Sequence, residues 1–196
     1  MTTALQQMED TATLAAVGAP LDRLVRAQCT MQASLDLPPT GKFSHAHKDV
    51  VFTPPAVAAG IVAHFRPGGR MLDPCRGDGA FWRHMPGADW CEIQDGRDFF
   101  QWAEPVDWII SNPPYSVFAG WLRHSFAVAD NIVYLIPINK AFNSTPLLDD
   151  THAFGGIAEI VHVATGRAIG MPFGYAIGAV HYKRGHRGAI KYRHGL

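Results

Sequence analysis

Apolar residues fall in short runs cut by proline and glycine, and the period of the runs changes along the chain. Leu14, Val17, Leu21, Leu24 and Val25 recur at helical spacing and predict a helix over 20–33, with Pro20 at or near its first turn. Pro38-Pro39-Thr40-Gly41 then punctuates the chain. Thr53 reads as an N-cap and Pro54 as the first helical residue of a helix over 55–65, stopped by Pro67-Gly68-Gly69. Residues 70–73 predict a short strand, followed by a loop, a short helix through Met85 ended by Pro86-Gly87, and a second strand over 89–93. Val106-Asp107-Trp108-Ile109-Ile110 reads as a buried strand, 118–128 as an amphipathic helix on Phe118, Leu122 and Phe126, and 131–137 as a strongly apolar strand. Two more strands, 157–164 and 175–182, are joined by a glycine-containing loop. Alternation first and a hairpin-like pair last predict an α/β fold, its sheet mostly parallel with one antiparallel strand near the C-terminal edge. Three segments result: an N-terminal helical arm over 1–41, the main domain over 42–185, and a basic C-terminal tail over 186–196.

Composition narrows the function. With 196 residues, 47% hydrophobic and 17% charged, the chain suits one domain with a full core. Its 17 basic and 17 acidic residues give a net charge of zero, so composition does not indicate a strongly basic nucleic-acid binder. No apolar stretch approaches membrane-spanning length and no signal-like leader precedes the domain, so a soluble, cytoplasmic protein without membrane partners is expected. Cys29, Cys75 and Cys91 show neither metal-ligand nor disulfide spacing. His45, His47 and Asp49 lack a fourth ligand, so no metal is expected.

Chemistry concentrates at two breaks. Pro113 and Pro114 donate no N–H and each fixes φ, so the strand before Asn112 must turn out into a rigid loop. The Asn112 side-chain oxygen and the Pro113 carbonyl can accept from a planar amino group, and Tyr115 offers a flat face for stacking. Upstream, Asp73-Pro74-Cys75-Arg76-Gly77-Asp78-Gly79-Ala80-Phe81 turns a strand sharply, and Gly77 and Gly79 permit positive φ and close approach of a ligand. Trp82 stands where a dinucleotide loop has its third glycine, and no lysine has phosphate-loop spacing. Glu92, 19 positions after Asp73, ends the next strand and can take both hydroxyls of a ribose. Asp98-Phe99 then supplies an acceptor for an adenine amino group and a ring to pack on it.

In this order the glycine-rich stretch resembles the first motif of class I S-adenosylmethionine-dependent methyltransferases. Ser111-Asn112-Pro113-Pro114-Tyr115 is similar to the catalytic motif of adenine N6 amino-methyltransferases, and Phe52-Thr53-Pro54-Pro55 to the segment that closes over the methionine end of their cofactor. From Asn112 to Tyr182 the chain also looks like small phage-type adenine methyltransferases; the likeness covers about residues 43 to 185. The resemblance implies an abbreviated Rossmann-like fold, S-adenosyl-L-methionine as cofactor, and direct in-line methyl transfer to adenine N6 in DNA. It implies Asn112, Pro113, Pro114 and Tyr115 around the amine, with Phe142 as a second aromatic wall. Thr53, Pro54, Asp73, Pro74, Cys75, Gly77, Gly79, Phe81, Glu92, Asp98, Phe99 and Asn112 would line the cofactor site. RNA adenine, cytosine N4, a protein glutamine amide, or a non-catalytic cofactor-binding subunit are the alternatives; intact Asp73, Gly77, Gly79, Asn112 and Tyr115 speak against the last.

The chain departs from the family pattern twice. Only six positions separate Glu92 from Asp98, too few for a helix and a strand, so the third strand and its preceding helix are expected to be missing and about six main strands to remain. The second is the absence of an obvious target-recognition domain. The arm, residues 139–154 and the tail, with Lys183, Arg184, Arg187, Lys191 and Arg193, are left for that work. Weak sequence specificity, a partner subunit or a homodimer would each explain the gap.

Overall fold

The computed structural model describes residues 51–196; the expected helix over 20–33 and the His45, His47, Asp49 group lie outside the described residues. The chain enters helix α1 (Pro55–Phe65) with Pro54 as N-cap and Pro55 inside the first turn, so the helix starts one residue later than the Thr53 cap implies. Thr53 is buried and makes no capping bond. Arg66 ends α1 in the left-handed region (φ 47°, ψ 59°), its amide returning to Val62 O. That conformation strains a side chain with a Cβ, so Arg66→Gly is expected to stabilise the fold by about 0.5–1 kcal/mol in a urea titration.

Seven strands form one sheet in the order β2-β1-β3-β4-β6-β5-β7. They are β1 (Met71–Asp73), β2 (Asp89–Trp90), β3 (Val106–Ser111), β4 (Ala129–Pro137), β5 (Gly155–Thr165), β6 (Ala176–Arg184) and β7 (Lys191–His194). The first four run parallel, β6 is antiparallel to both β4 and β5, and β7 runs parallel to β5. The missing unit is therefore missing: from Glu92 to Arg97 the chain makes one tight turn closed by a bridge between those two residues, leaving β2 at the edge.

The strands between β1 and β6 are buried on both faces, which is why they read as continuous apolar runs. Ile109, Ile132, Tyr134 and Ile136 face helices α2 (Phe118–Val128) and α3 (Thr145–Phe154), while Ile110, Val133 and Leu135 face α1. Two expectations are corrected. The short helix ending at Met85 is a single 3-10 turn over Trp82–His84, because Pro86-Gly87 follows too soon for a second turn. Within the 139–154 segment expected to be available for target reading, residues 145–154 form α3, which buries Leu147, Thr151 and Phe154. The tail contributes β7, so there are seven strands and not six.

That tail is also less of a phosphate patch than its charge suggests. The Arg184 guanidinium donates to Asp130 Oδ1 at 2.8 Å and to the carbonyls of Phe126 and Ala129 at 2.6 and 2.9 Å, closing the carboxyl end of α2. Arg187 donates to the Gly155 carbonyl, and Arg193 lies 3.4 Å from Glu159.

Candidate active site

The carboxyl ends of β1 to β4 gather at one edge of the sheet, and strand order reverses between β1 and β3. Open α/β sheets bind ligands at such a switch point. Asp73 ends β1 and Ser111 ends β3, so the two motif loops spring from the two strands that flank it.

Asn112 is held by its own amide. Its Nδ2 donates to the Val51 carbonyl at 3.0 Å. A carbonyl only accepts, so this contact fixes which end of the amide faces which way. Asn112 Oδ1 is left shielded from solvent with no hydrogen-bond partner, an arrangement that is unfavourable until a donor reaches it. Pro113 is buried and rigid beside it. Tyr115 donates its hydroxyl to Leu135 O at 3.3 Å, and burial pushes that phenol above its usual range. The Lys140 ammonium donates to Tyr115 O at 3.1 Å, tying the loop after β4 to the Asn112 loop.

The glycine loop is shaped by Glu92. Its Oε2 accepts the Gly77 amide at 2.8 Å and its Oε1 the Gln94 amide at 3.2 Å. Gly77 and Gly79 take φ of 53° and 86°, the left-handed region that favours glycine. A Cβ at Gly77 would stand 3.6 Å from the exposed Phe52 ring, an ordinary contact, so it is the positive φ and not crowding that calls for glycine here. Phe81 is buried behind the loop. Asp73 has no exposure; its Oδ1 accepts the Ser111 hydroxyl at 2.7 Å, and its Oδ2 has no hydrogen-bond partner. Burial raises its carboxyl from 3.8 to about 7, while Ser111 and the nearby amides of Cys75 and Trp82 offset this only in part.

No protein-family model matches the chain, and no curated protein sequence does. Solved structures do. A provisionally assigned class I S-adenosylmethionine-dependent methyltransferase from Listeria monocytogenes superposes with a TM-score of 0.60 at 12% identity, over 87% of this chain and 73% of that one. The modification subunit of a provisionally assigned type I restriction enzyme from Vibrio vulnificus YJ016 gives 0.56 at 13% identity, over 89% of this chain. The chain spans about half (51%) of that subunit's length. A provisionally assigned RNA methyltransferase from Pyrococcus horikoshii gives 0.51 at 10% identity, over 81% of this chain and 98% of that one. The fold is that of the class I methyltransferases.

Within this fold, some of the expected site residues are brought together and others are placed elsewhere. Asp73, Pro74, Cys75, Gly77, Gly79 and Glu92 lie together at the carboxyl ends of β1 and β2, and Asn112 to Tyr115 lie across the switch point from them. The Phe99 ring lies in the core. It is 1% exposed and packs 4.7 Å from both Trp121 and His124, in the core under α2. Asp98 uses Oδ1 to cap the turn through the Phe100 amide at 3.0 Å. Arg76 and Arg97 both lie over the Trp90 ring, at 3.8 and 3.9 Å from its centroid. Phe142 is 44% exposed at the end of the turn after β4, whereas the aromatic ring that meets Tyr115 is Phe173, 5.8 Å away and tilted by 59°. Tyr175, 61% exposed, follows at 6.0 Å from Phe173. Sequence reasoning missed Phe173, Lys140 and the Val51 carbonyl, and gave Ser111 only as the first residue of its motif. Of these, only Phe173 carried a signal, an aromatic in the loop entering β6, whose first residues pair with the carboxyl end of β4.

Among the described residues, no group of three or more His, Cys, Asp or Glu is placed to hold a metal, and no helix is long and apolar enough to cross a membrane.

Proposed function

We propose that the protein is an S-adenosylmethionine-dependent methyltransferase that methylates the exocyclic N6 amine of adenine in DNA. The observation that carries the reading is Asn112 Oδ1, an amide oxygen without a partner, fixed by Val51 and set across the switch point from a glycine-rich loop. Asn112 Oδ1 and the Pro113 carbonyl accept the two amine hydrogens, which turns the nitrogen lone pair away from both. Tyr115 and Phe173 pack on the base, with Phe142 and Tyr175 at the rim. Most of the acceleration comes from orientation, with no dedicated base. A base inside a duplex cannot reach this edge, so a double-stranded substrate is flipped.

The residues present suit the cofactor. Acids Asp73 and Glu92 frame the loop without a phosphate-binding lysine, as a cationic nucleoside without phosphates requires, and the partnerless Asp73 Oδ2 fits an ammonium. Thr53 and Pro54 close one side, with Phe81 behind the loop and Asp98 beyond Glu92. When bound, S-adenosylmethionine supplies an electrophilic methyl group on a sulfonium.

The Vibrio neighbour, a modification subunit, favours DNA; the Pyrococcus neighbour, described as an RNA methyltransferase, makes RNA adenine the second reading. Arg184, Arg187 and Arg193 are engaged within the domain, which favours a partner subunit or a second copy over the basic tail for target recognition. The test is methyl incorporation from labelled cofactor into double-stranded DNA, single-stranded DNA, RNA and protein. Label as N6-methyladenine in DNA supports the reading; label confined to RNA or protein overturns the substrate and keeps the cofactor. Phe173→Ala is expected to raise KM for the nucleic acid by roughly 5- to 100-fold with cofactor affinity unchanged, as loss of one base–aromatic stack implies.

A further inference from the structure

A short chain of polar side chains lies between the glycine loop and the Asn112 loop, and the amine-gripping reading makes no use of it. The Ser111 hydroxyl donates to Asp73 Oδ1 at 2.7 Å, both residues being sealed from solvent. Cys75 Sγ lies 3.1 Å from Ser111 Oγ, and its thiol donates to the main-chain carbonyl of Asn112 at 3.0 Å. Burial pushes the Cys75 thiol well above its usual range, so it keeps its hydrogen at neutral pH. A half-buried cysteine ordinarily behaves as a small hydrophobe. This one, carried on the glycine loop, meets two oxygens at the carboxyl end of β3, Ser111 Oγ and the Asn112 carbonyl.

The consequence follows from chain stiffness. The carbonyl that Cys75 holds belongs to the peptide joining Asn112 to Pro113, and the two prolines after it fix φ. Rotating that peptide therefore swings Pro113 and its carbonyl as a body. Asp73 belongs to the loop that carries Gly77 and Gly79, so a displacement there is passed through Ser111 and Cys75 to the acceptors for the amine.

We propose that Ser111 and Cys75 are positioning residues, which carry the placement of Asp73 in the glycine loop to the Asn112–Pro113 peptide and so aim the amine-accepting oxygens. The roles of the two ends rest on the methyltransferase reading.

The experiment compares Cys75→Ser with Cys75→Ala, and Ser111→Thr with Ser111→Ala, in the full chain. Thermal midpoints are measured without ligand, S-adenosylhomocysteine binding by calorimetry, and kcat and KM by methyl incorporation. A serine at 75 keeps a donor for Asn112 O, and an alanine keeps only the packing. Cys75→Ser is expected to hold kcat within about fivefold of wild type, the worth of one neutral hydrogen bond, and Cys75→Ala to lower it roughly 10- to 100-fold with KM for the cofactor little changed. Cys75→Ser should also have the higher midpoint of the two. Ser111→Thr should rescue what Ser111→Ala loses, and the Ser111→Ala, Cys75→Ala double variant should lose no more than the worse single one, because both break one chain.

Alanine at 75 matching or exceeding serine in midpoint and kcat would overturn the proposal, as would losses that multiply in the double variant. If Ser111→Ala does not fold, the Cys75 pair and Ser111→Thr carry the comparison. Should the wild type bind no S-adenosylhomocysteine, the methyltransferase reading fails on its own, and the order of the ligand-free midpoints still decides whether the thiol acts as a donor.

Discussion

Asn112→Ala is expected to lower single-turnover methyl transfer by roughly 10²–10³-fold, the range seen when one positioned polar group is removed from a reacting centre. The variant removes the oxygen that waits without a partner and, with it, the Nδ2 bond to Val51. That second loss loosens the segment Val51 to Thr53 beside the glycine loop, so S-adenosylhomocysteine affinity should fall as well, by about fivefold for one neutral hydrogen bond. The two effects are separable because calorimetry reads the second without the first. Asn112→Asp sharpens the point. A carboxylate at this position has no hydrogen to give the Val51 carbonyl, so it would meet that carbonyl oxygen to oxygen and turn away. It should therefore bind cofactor no better than the alanine variant. Asn112→Ala with transfer within tenfold of wild type would remove Asn112 from the chemistry.

The parts of the fold that could be read from the sequence are those where local chemistry leaves no choice. Pro113 and Pro114 must end β3, Pro67-Gly68-Gly69 must end α1, and six residues between Glu92 and Asp98 cannot hold a helix and a strand; the structure obeys each. What stayed hidden was decided by tertiary packing. The Phe99 ring, expected on a ligand, is taken by Trp121 and His124, and nothing in Asp98-Phe99 itself distinguishes the two places. Strand β7 consists of Lys191, Tyr192, Arg193 and His194, all exposed, and is held by main-chain pairing to β5, which leaves no hydrophobic alternation to read. Helix α3 carries a signal in Leu147, Thr151 and Phe154, spaced to one face, within the stretch that the sequence leaves over for target reading. At the site, the side chains that name the chemistry were visible, whereas their holders were not. Val51 acts through a carbonyl that every residue possesses, and Phe173 reaches Tyr115 only because β5 and β6 pair as a hairpin beyond β4.

Asp73→Asn should make the ligand-free protein more stable at neutral pH while weakening its hold on the cofactor. The carboxyl is fully buried, one oxygen has no partner, and burial lifts its titration from 3.8 to about 7. Between those values the folded chain keeps a proton that the unfolded chain has released, so this group's contribution to stability falls as pH rises and is fully lost above about 7. At about 1.4 kcal/mol for each pH unit, the loss is at most about 4 kcal/mol. The wild-type curve alone would hide it. Burial lowers His181 to about 4, and that group contributes in the opposite sense, adding stability as pH rises from 4 to 6.5. The difference between wild type and Asp73→Asn isolates the carboxyl, because His181 is common to both. Asparagine keeps an oxygen for the Ser111 hydroxyl and removes the charge, so the variant's advantage in urea titrations should grow from pH 4 to 7 and then level off. S-adenosylhomocysteine affinity at pH 8 should fall at the same time, since a neutral amide offers an ammonium less than a carboxylate does. A difference that stays flat across that range would mean Asp73 is ionised and well stabilised without ligand. Its partnerless oxygen would then not be the feature that draws the cofactor.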